Sequence, residues 1–117
     1  MRAEAQAHVE TINEALALLR RFLDWDRALR RLDELNARVE DPTLWENPKQ
    51  AQEVMRERRR LDEAITATRA IERELADTSE LIELAEAEGD EDLAVEGTQA
   101  LAQLAERAQQ DKVKALL

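Results

Sequence analysis

Cysteine is absent from this chain, so disulfides, thiolate catalysis and Cys-bound zinc are excluded. The single histidine, His8, stands alone. A carboxylate-bridged di-metal bundle needs Glu-x-x-His pairs on its helices. Glu4 lies four residues before His8 and is not repeated elsewhere, so His8 reads as a surface residue and not as a metal ligand. The one serine, Ser79, has no neighbouring base, and neither a glycine-rich phosphate loop nor a Gly-x-Ser-x-Gly elbow occurs. These absences predict a chain with no catalytic residue, no metal and no cofactor. Glycine and proline occur twice each and aromatics make up 3%. With few β-branched residues, that composition argues against a sheet. The longest apolar run extends only from Ala15 to Leu19, whereas a membrane span needs roughly 20 residues. The N-terminal segment has no apolar core of the signal-peptide type. A soluble or at most peripheral protein is expected, and the lack of cysteine suits the reducing cytoplasm.

Ala, Glu, Leu, Arg and Gln dominate instead, and these are strong helix formers. At 117 residues the chain has the length of one domain with a modest core. Four helices are predicted, over about 3–22, 26–40, 48–87 and 91–115. In the first, Val9, Ile12, Leu16, Leu19 and Leu23 recur at steps of three and four, the apolar stripe of an amphipathic helix. Asp24 or Asp26 then caps the second, which turns Leu29, Leu32, Leu35 or Asn36, and Val39 inward. Asp41-Pro42 ends it, because proline disfavours helix at the preceding residue.

Asn47-Pro48 is a strong start for the third helix, a cap residue followed by proline at the first helical position. No breaker follows until Gly89. Leu61, Ala64, Thr68, Ile71, Leu75, Thr78, Ile82 and Ala85 form a heptad seam, which Ile65, Leu81 and Leu84 widen. Gly89 supplies a left-handed stop, and Asp90 caps a fourth helix carrying Leu93, Gly97, Leu101, Leu104, Ala108 and Ala115. The expected fold is all-α: a four-helix arrangement built on a long antiparallel coiled-coil hairpin, with the two shorter N-terminal helices packed at one end.

The net charge of −10 is uneven. Residues 1–19 carry −2, residues 20–60 carry +2 and residues 61–117 carry −10. The last segment repels nucleic acid, so only the middle one tolerates a phosphate backbone, and DNA is not an expected partner. Between Glu72 and Glu96, eleven carboxylates have only Arg73 opposing them. They suit a solvated face, although they also suit a basic partner.

Arg56, Arg58, Arg59 and Arg60 form the densest basic group, and Arg27, Arg30 and Arg31 a second. Glu53, Glu57, Asp62 and Glu63 lie within helical pairing distance of the first group. Two readings stand side by side: intrahelical ion pairs, or a surface for structured RNA or an acidic protein. Trp25 and Trp45 flank the second helix, where each is expected to plug a corner with its large apolar ring; the alternative is a role as an interface hot spot.

Taken in order, these residues resemble a known family. Leu23-Asp24-Trp25-Asp26 after a leucine-rich helix, Leu32-Asp33-Glu34-Leu35-Asn36, Asp41-Pro42-x-x-Trp45-x-x-Pro48 and Ala51-Gln52 resemble the N-terminal part of bacterial peptide chain release factor 2. The family usually has tyrosine where Trp25 stands, and release factor 1 looks different in this segment. The resemblance implies translation termination at UGA and UAA codons. In the family a Ser-Pro-Phe tripeptide reads the codon and a Gly-Gly-Gln loop promotes hydrolysis of peptidyl-tRNA. Neither motif is present, and Gly97-Thr98-Gln99 lacks the second glycine and falls in a predicted helix. The chain therefore resembles only the family's first, helical domain, a non-catalytic module. The resemblance implies the ribosomal stalk base and the release factor 3 GTPase as partners; the charge pattern, not the resemblance, makes Arg56, Arg58, Arg59 and Arg60 the candidate partner or RNA surface. A homodimer of this part alone is a further expectation from the long seam. The alternative is a free-standing antiparallel coiled-coil adaptor, which rests on the seam alone.

Overall fold

A computed structural model describes residues 1–117. It is all-α, with four helices and no strand: α1 (Ala3–Leu23), α2 (Trp25–Val39), α3 (Pro48–Ala87) and α4 (Glu91–Leu116). A short 3₁₀ turn, Pro42–Glu46, joins α2 to α3.

Local chemistry explains each boundary. Asp24, between α1 and α2, has φ 54° and ψ 67° and is the one non-glycine residue with positive φ. Short polar side chains tolerate this left-handed region better than most. Asp24 holds the cap position of α2, but its side chain makes no capping bond. A capping side chain works from extended backbone, which Asp24 lacks. Its carbonyl instead accepts the Ala28 N–H at 2.8 Å. Asp26 is not a cap either: it lies in the first turn of α2, where its charge complements the positive helix end.

The other three junctions follow the expected chemistry. Asp41 accepts from the Thr43 N–H at 3.0 Å and the Thr43 hydroxyl at 2.9 Å. These bonds, the backbone one first, hold its carboxyl below the usual range. Asn47 Oδ1 accepts from the Gln50 N–H at 3.2 Å, with Pro48 at the first position of α3. At the far end Gly89 has φ 71°. The Gly89 N–H reaches the Glu86 carbonyl at 3.2 Å and the Asp90 N–H the Ala85 carbonyl at 2.8 Å, the paired bonds of a Schellman stop. Asp90 Oδ1 then accepts from the Leu93 N–H at 3.1 Å and caps α4.

The chain divides into two compact units, and α3 contributes to both. One unit comprises residues 1–22 and 68–117. Its core joins Ala5, Ile12, Ala15, Leu16 and Leu19 of α1 to Ile71 and Ile82 of α3 and Leu101, Leu104, Ala105 and Ala108 of α4. Small residues let the helices approach closely. A Cβ added at the buried Gly97 would stand 2.5 Å from Ile82 Cγ1. Leu81 and Leu84 do not widen the seam as expected: they are 39% and 55% exposed, on a side of α3 that nothing covers. Ala115, read as part of the α4 stripe, is exposed as well. The carboxylates of this unit have more opposing charge than Arg73 alone. Arg20 pairs with Glu72, Arg107 with Glu74 at 2.7 Å, the Met1 amine with Glu86 at 3.0 Å, and Arg2 with Glu91. These partners are distant in sequence, so helical spacing does not reveal them.

The second unit comprises residues 23–67. Ala28 and Leu35 of α2, Leu44 of the 3₁₀ turn and Ala51, Val54, Leu61 and Ile65 of α3 form its core. The two N-terminal helices are thus divided between the units. Trp25 is half-buried at the edge of this second core. Trp45 does not plug its corner: it is 53% exposed, and Leu44, 5% exposed, fills that role. The Trp45 indole N–H donates to the Val39 carbonyl at 3.1 Å, which fixes the ring on the surface. Arg31 of α2 forks onto Glu57 of α3, with Nε–Oε2 at 2.7 Å and Nη2–Oε1 at 2.8 Å. Its Nη1 donates to Glu34 Oε2 at 3.1 Å.

Two outcomes follow. In Gly97→Ala, a gain in helix propensity of about 1 kcal/mol opposes an overpacking cost of about 1–3 kcal/mol. Ile82 is 1% exposed, so any shift that relieves the contact takes place inside a packed core. Urea melts of Gly97→Ala should show a net loss, recovered in part by adding Ile82→Val; a gain would refute the close approach. The fork from Arg31 is the main cause that holds the Glu57 carboxyl below its ordinary range. A carboxyl lowered on folding contributes stability above its unfolded value and loses it as pH falls through the folded value. Glu57→Gln should therefore destabilise the protein at neutral pH, and the gap should narrow as pH falls below the ordinary carboxylate range. An equal gap at both ends would exclude the fork as its source.

Candidate functional site

The arginines from 56 to 60 all sit on one helix, α3, yet they serve different surroundings. At about 100° per residue, Arg58 falls on the opposite side of the helix from Arg60. Arg58 is half-buried, and its Nε donates to Asn36 Oδ1 of α2 at 2.6 Å. Asn36 is therefore an exposed partner for this arginine and not a core residue. Arg60 faces a cleft of about 580 Å³ that it shares with Arg27, Arg30 and Arg31. Asp24, Glu34 and Glu57 line the same cleft, so much of its positive charge is answered within the fold. Arg31 is committed there, since the bonds to Glu57 and then Glu34 raise its guanidinium further above an already high value.

Arg56 and Arg59 stand elsewhere. With Trp45, Pro48, Ala51, Gln52 and Met55 they line an open cleft of about 500 Å³. No carboxylate lines it. Glu57 pairs across to α2 and not along its own helix, so the expected intrahelical ion pairs with this carboxylate do not form. Trp45 and Pro48, the last two residues of the Asp-Pro-x-x-Trp-x-x-Pro pattern, meet the two arginines at this cleft. Sequence spacing gave no signal for the Arg31–Glu57 fork, which joins residues 26 positions apart. In the sequence Arg56 and Arg59 belong to one basic group of four, and nothing there separates them from Arg58 and Arg60.

Other candidate residues do not converge. His8 is half-buried on α1 and Ser79 half-buried on α3. No group of three or more His, Cys, Asp or Glu side chains is placed to hold a metal ion. Gly97, of the Gly97-Thr98-Gln99 run, is buried inside α4. The Thr98 hydroxyl donates to the Ala94 carbonyl at 3.0 Å, so this run is ordinary helix. No helix is long and apolar enough to cross a membrane.

Comparison with known proteins gives these residues a family. The PCRF domain model matches residues 28–117. Peptide chain release factor 2 of Paramagnetospirillum magneticum is 50% identical over 117 residues, all of this chain and 32% of that protein. The same factor of Roseobacter denitrificans is 47% identical over 117 residues, 31% of its length. That of Caulobacter vibrioides is 54% identical over 94 residues, or 80% of this chain and 25% of the relative. The chain thus spans about a third of the length of the first two relatives. With the model matched over α2, α3 and α4 and the likeness to release factor 2 running from end to end, the chain belongs to the PCRF domain family of peptide chain release factors.

Proposed function

We propose that this chain is the first, helical domain of a cytoplasmic peptide chain release factor for UGA and UAA codons, and that it acts as a docking and positioning module in translation termination. The observation that carries this reading is the 50% identity to a release factor 2 over the whole chain. On this reading codon recognition and peptidyl-tRNA hydrolysis belong to other parts of the parent protein, and the chain itself is not an enzyme. Both compact units together would constitute the single domain. The partners are the ribosome at its stalk base and the release factor 3 GTPase, and a homodimer is the form proposed for this part alone. The arginine side of α3, with Arg56, Arg58, Arg59 and Arg60, is the proposed partner surface.

The antiparallel hairpin of α3 and α4 belongs to the same proposal. It is supported by the pairing of Glu74 with Arg107 and the approach of Ile82 to Gly97, since positions that advance on one helix then recede on the other. The Schellman stop at Gly89 supports the same reversal.

A chimera tests the function. This chain replaces the matching segment of the Paramagnetospirillum magneticum factor, and peptide release is measured on ribosomes carrying each stop codon. Release at UGA and UAA, absent at UAG, with KM for ribosomes within several-fold of the parent, is the expected result. A folded chimera that no longer associates with ribosomes would overturn the docking role.

A further inference from the structure

We propose that the cleft between Trp45 and Arg59 is a docking site for a short acidic peptide segment, one that carries an apolar side chain between carboxylates. The cleft has two kinds of wall. Pro48, Ala51 and Met55 give its lining an apolar part, and Arg56 and Arg59 give it positive charge. Trp45 completes it with a ring that is 53% exposed. A large aromatic half in water costs burial energy that the fold leaves ungained. The ring is nevertheless held in place, because its N–H is bonded to the Val39 carbonyl. Such a pinned, exposed tryptophan beside arginines has the composition of an interaction hot spot.

Charge selects the occupant. The neighbouring arginine cleft contains Asp24, Glu34 and Glu57, which answer its positive charge, whereas no carboxylate lines this one. Two guanidiniums three residues apart offer forked donors to carboxylates. A nucleic acid fits less well. The indole N–H that would donate to a base edge is already used. The chain as a whole carries −10, which opposes a long phosphate backbone more than a short peptide. The apolar part of the lining also suits a side chain such as leucine better than a phosphate.

This inference refines the arginine surface proposed above and holds whichever parent protein carries the chain. Failure of the chimera would leave it standing, and its own failure would leave termination activity untouched. The test is fluorescence anisotropy with a labelled 12-residue peptide in which one leucine alternates with three glutamates. The comparisons are the same peptide with lysine for glutamate and a single-stranded RNA of 12 nucleotides. Saturable binding of the acidic peptide is expected, at least tenfold tighter than either comparison. Arg56→Glu with Arg59→Glu should weaken it at least tenfold, and Arg56→Gln with Arg59→Gln severalfold. Arg27→Glu with Arg30→Glu, in the other cleft, should change it less than twofold. Circular dichroism checks that each variant stays helical. Absence of saturable binding, equal loss in both charge-reversed pairs, or tighter binding of the RNA would overturn the proposal.

Discussion

Everything else in this molecule depends on the apolar seam of α3. In a folded protein most of a helix's stability comes from packing its apolar face, and the seam supplies that face here. Leu61 and Ile65 of the seam close the core beneath α2 and the 3₁₀ turn. Ile71 and Ile82 close the core shared with α1 and α4. Thr68, a polar residue in the same seam, is buried at 3% exposure and is engaged in an interaction there. The unbroken run from Pro48 to Ala87 therefore serves two cores with one stripe of side chains. Its ends are fixed by chemistry that needs no tertiary help, Asn47-Pro48 at the start and Gly89-Asp90 at the stop.

On this frame the charged residues sort by what they can reach. Arg31, Arg20 and Arg107 each find a carboxylate on another helix. Exposed pairs of this kind contribute little stability each, but they use up charge that would otherwise face a partner. Arg56 and Arg59 are set apart by the absence of any carboxylate in their cleft. The tryptophan and proline of the family signature frame the same cleft. The segment that identifies the chain thus also frames a cleft with no carboxylate in its lining.

Much of the fold was legible in the sequence because it rests on local rules. Steps of three and four residues marked the four helices, and cap residues and prolines marked most of their ends. The seam positions from Leu61 to Ala85 are buried or half-buried as the heptad pattern requires. What was not legible depends on three-dimensional neighbours. Leu81 and Leu84 fit the helical period as well as Ile82 does, and only the absence of a covering element leaves them exposed. Trp45 was misjudged because size argues for burial, while Leu44 beside it took the buried place. Asp24 had the right residue type for a cap, but its left-handed backbone turns that role aside. The arginines from 56 to 60 stand out as a group in the sequence. Their division between two clefts and Asn36 follows from helix phase and from partners that spacing does not reveal.

The resemblance carried by Leu23 to Pro48 and the identity to release factor 2 along the whole chain lead to one central claim, that these helices are the first domain of a termination factor. The transcript that encodes the chain tests this most directly. If the claim holds, the reading frame continues past Leu117 and encodes Ser-Pro-Phe and then Gly-Gly-Gln. A stop codon directly after Leu117 would contradict it and favour the free-standing coiled-coil adaptor.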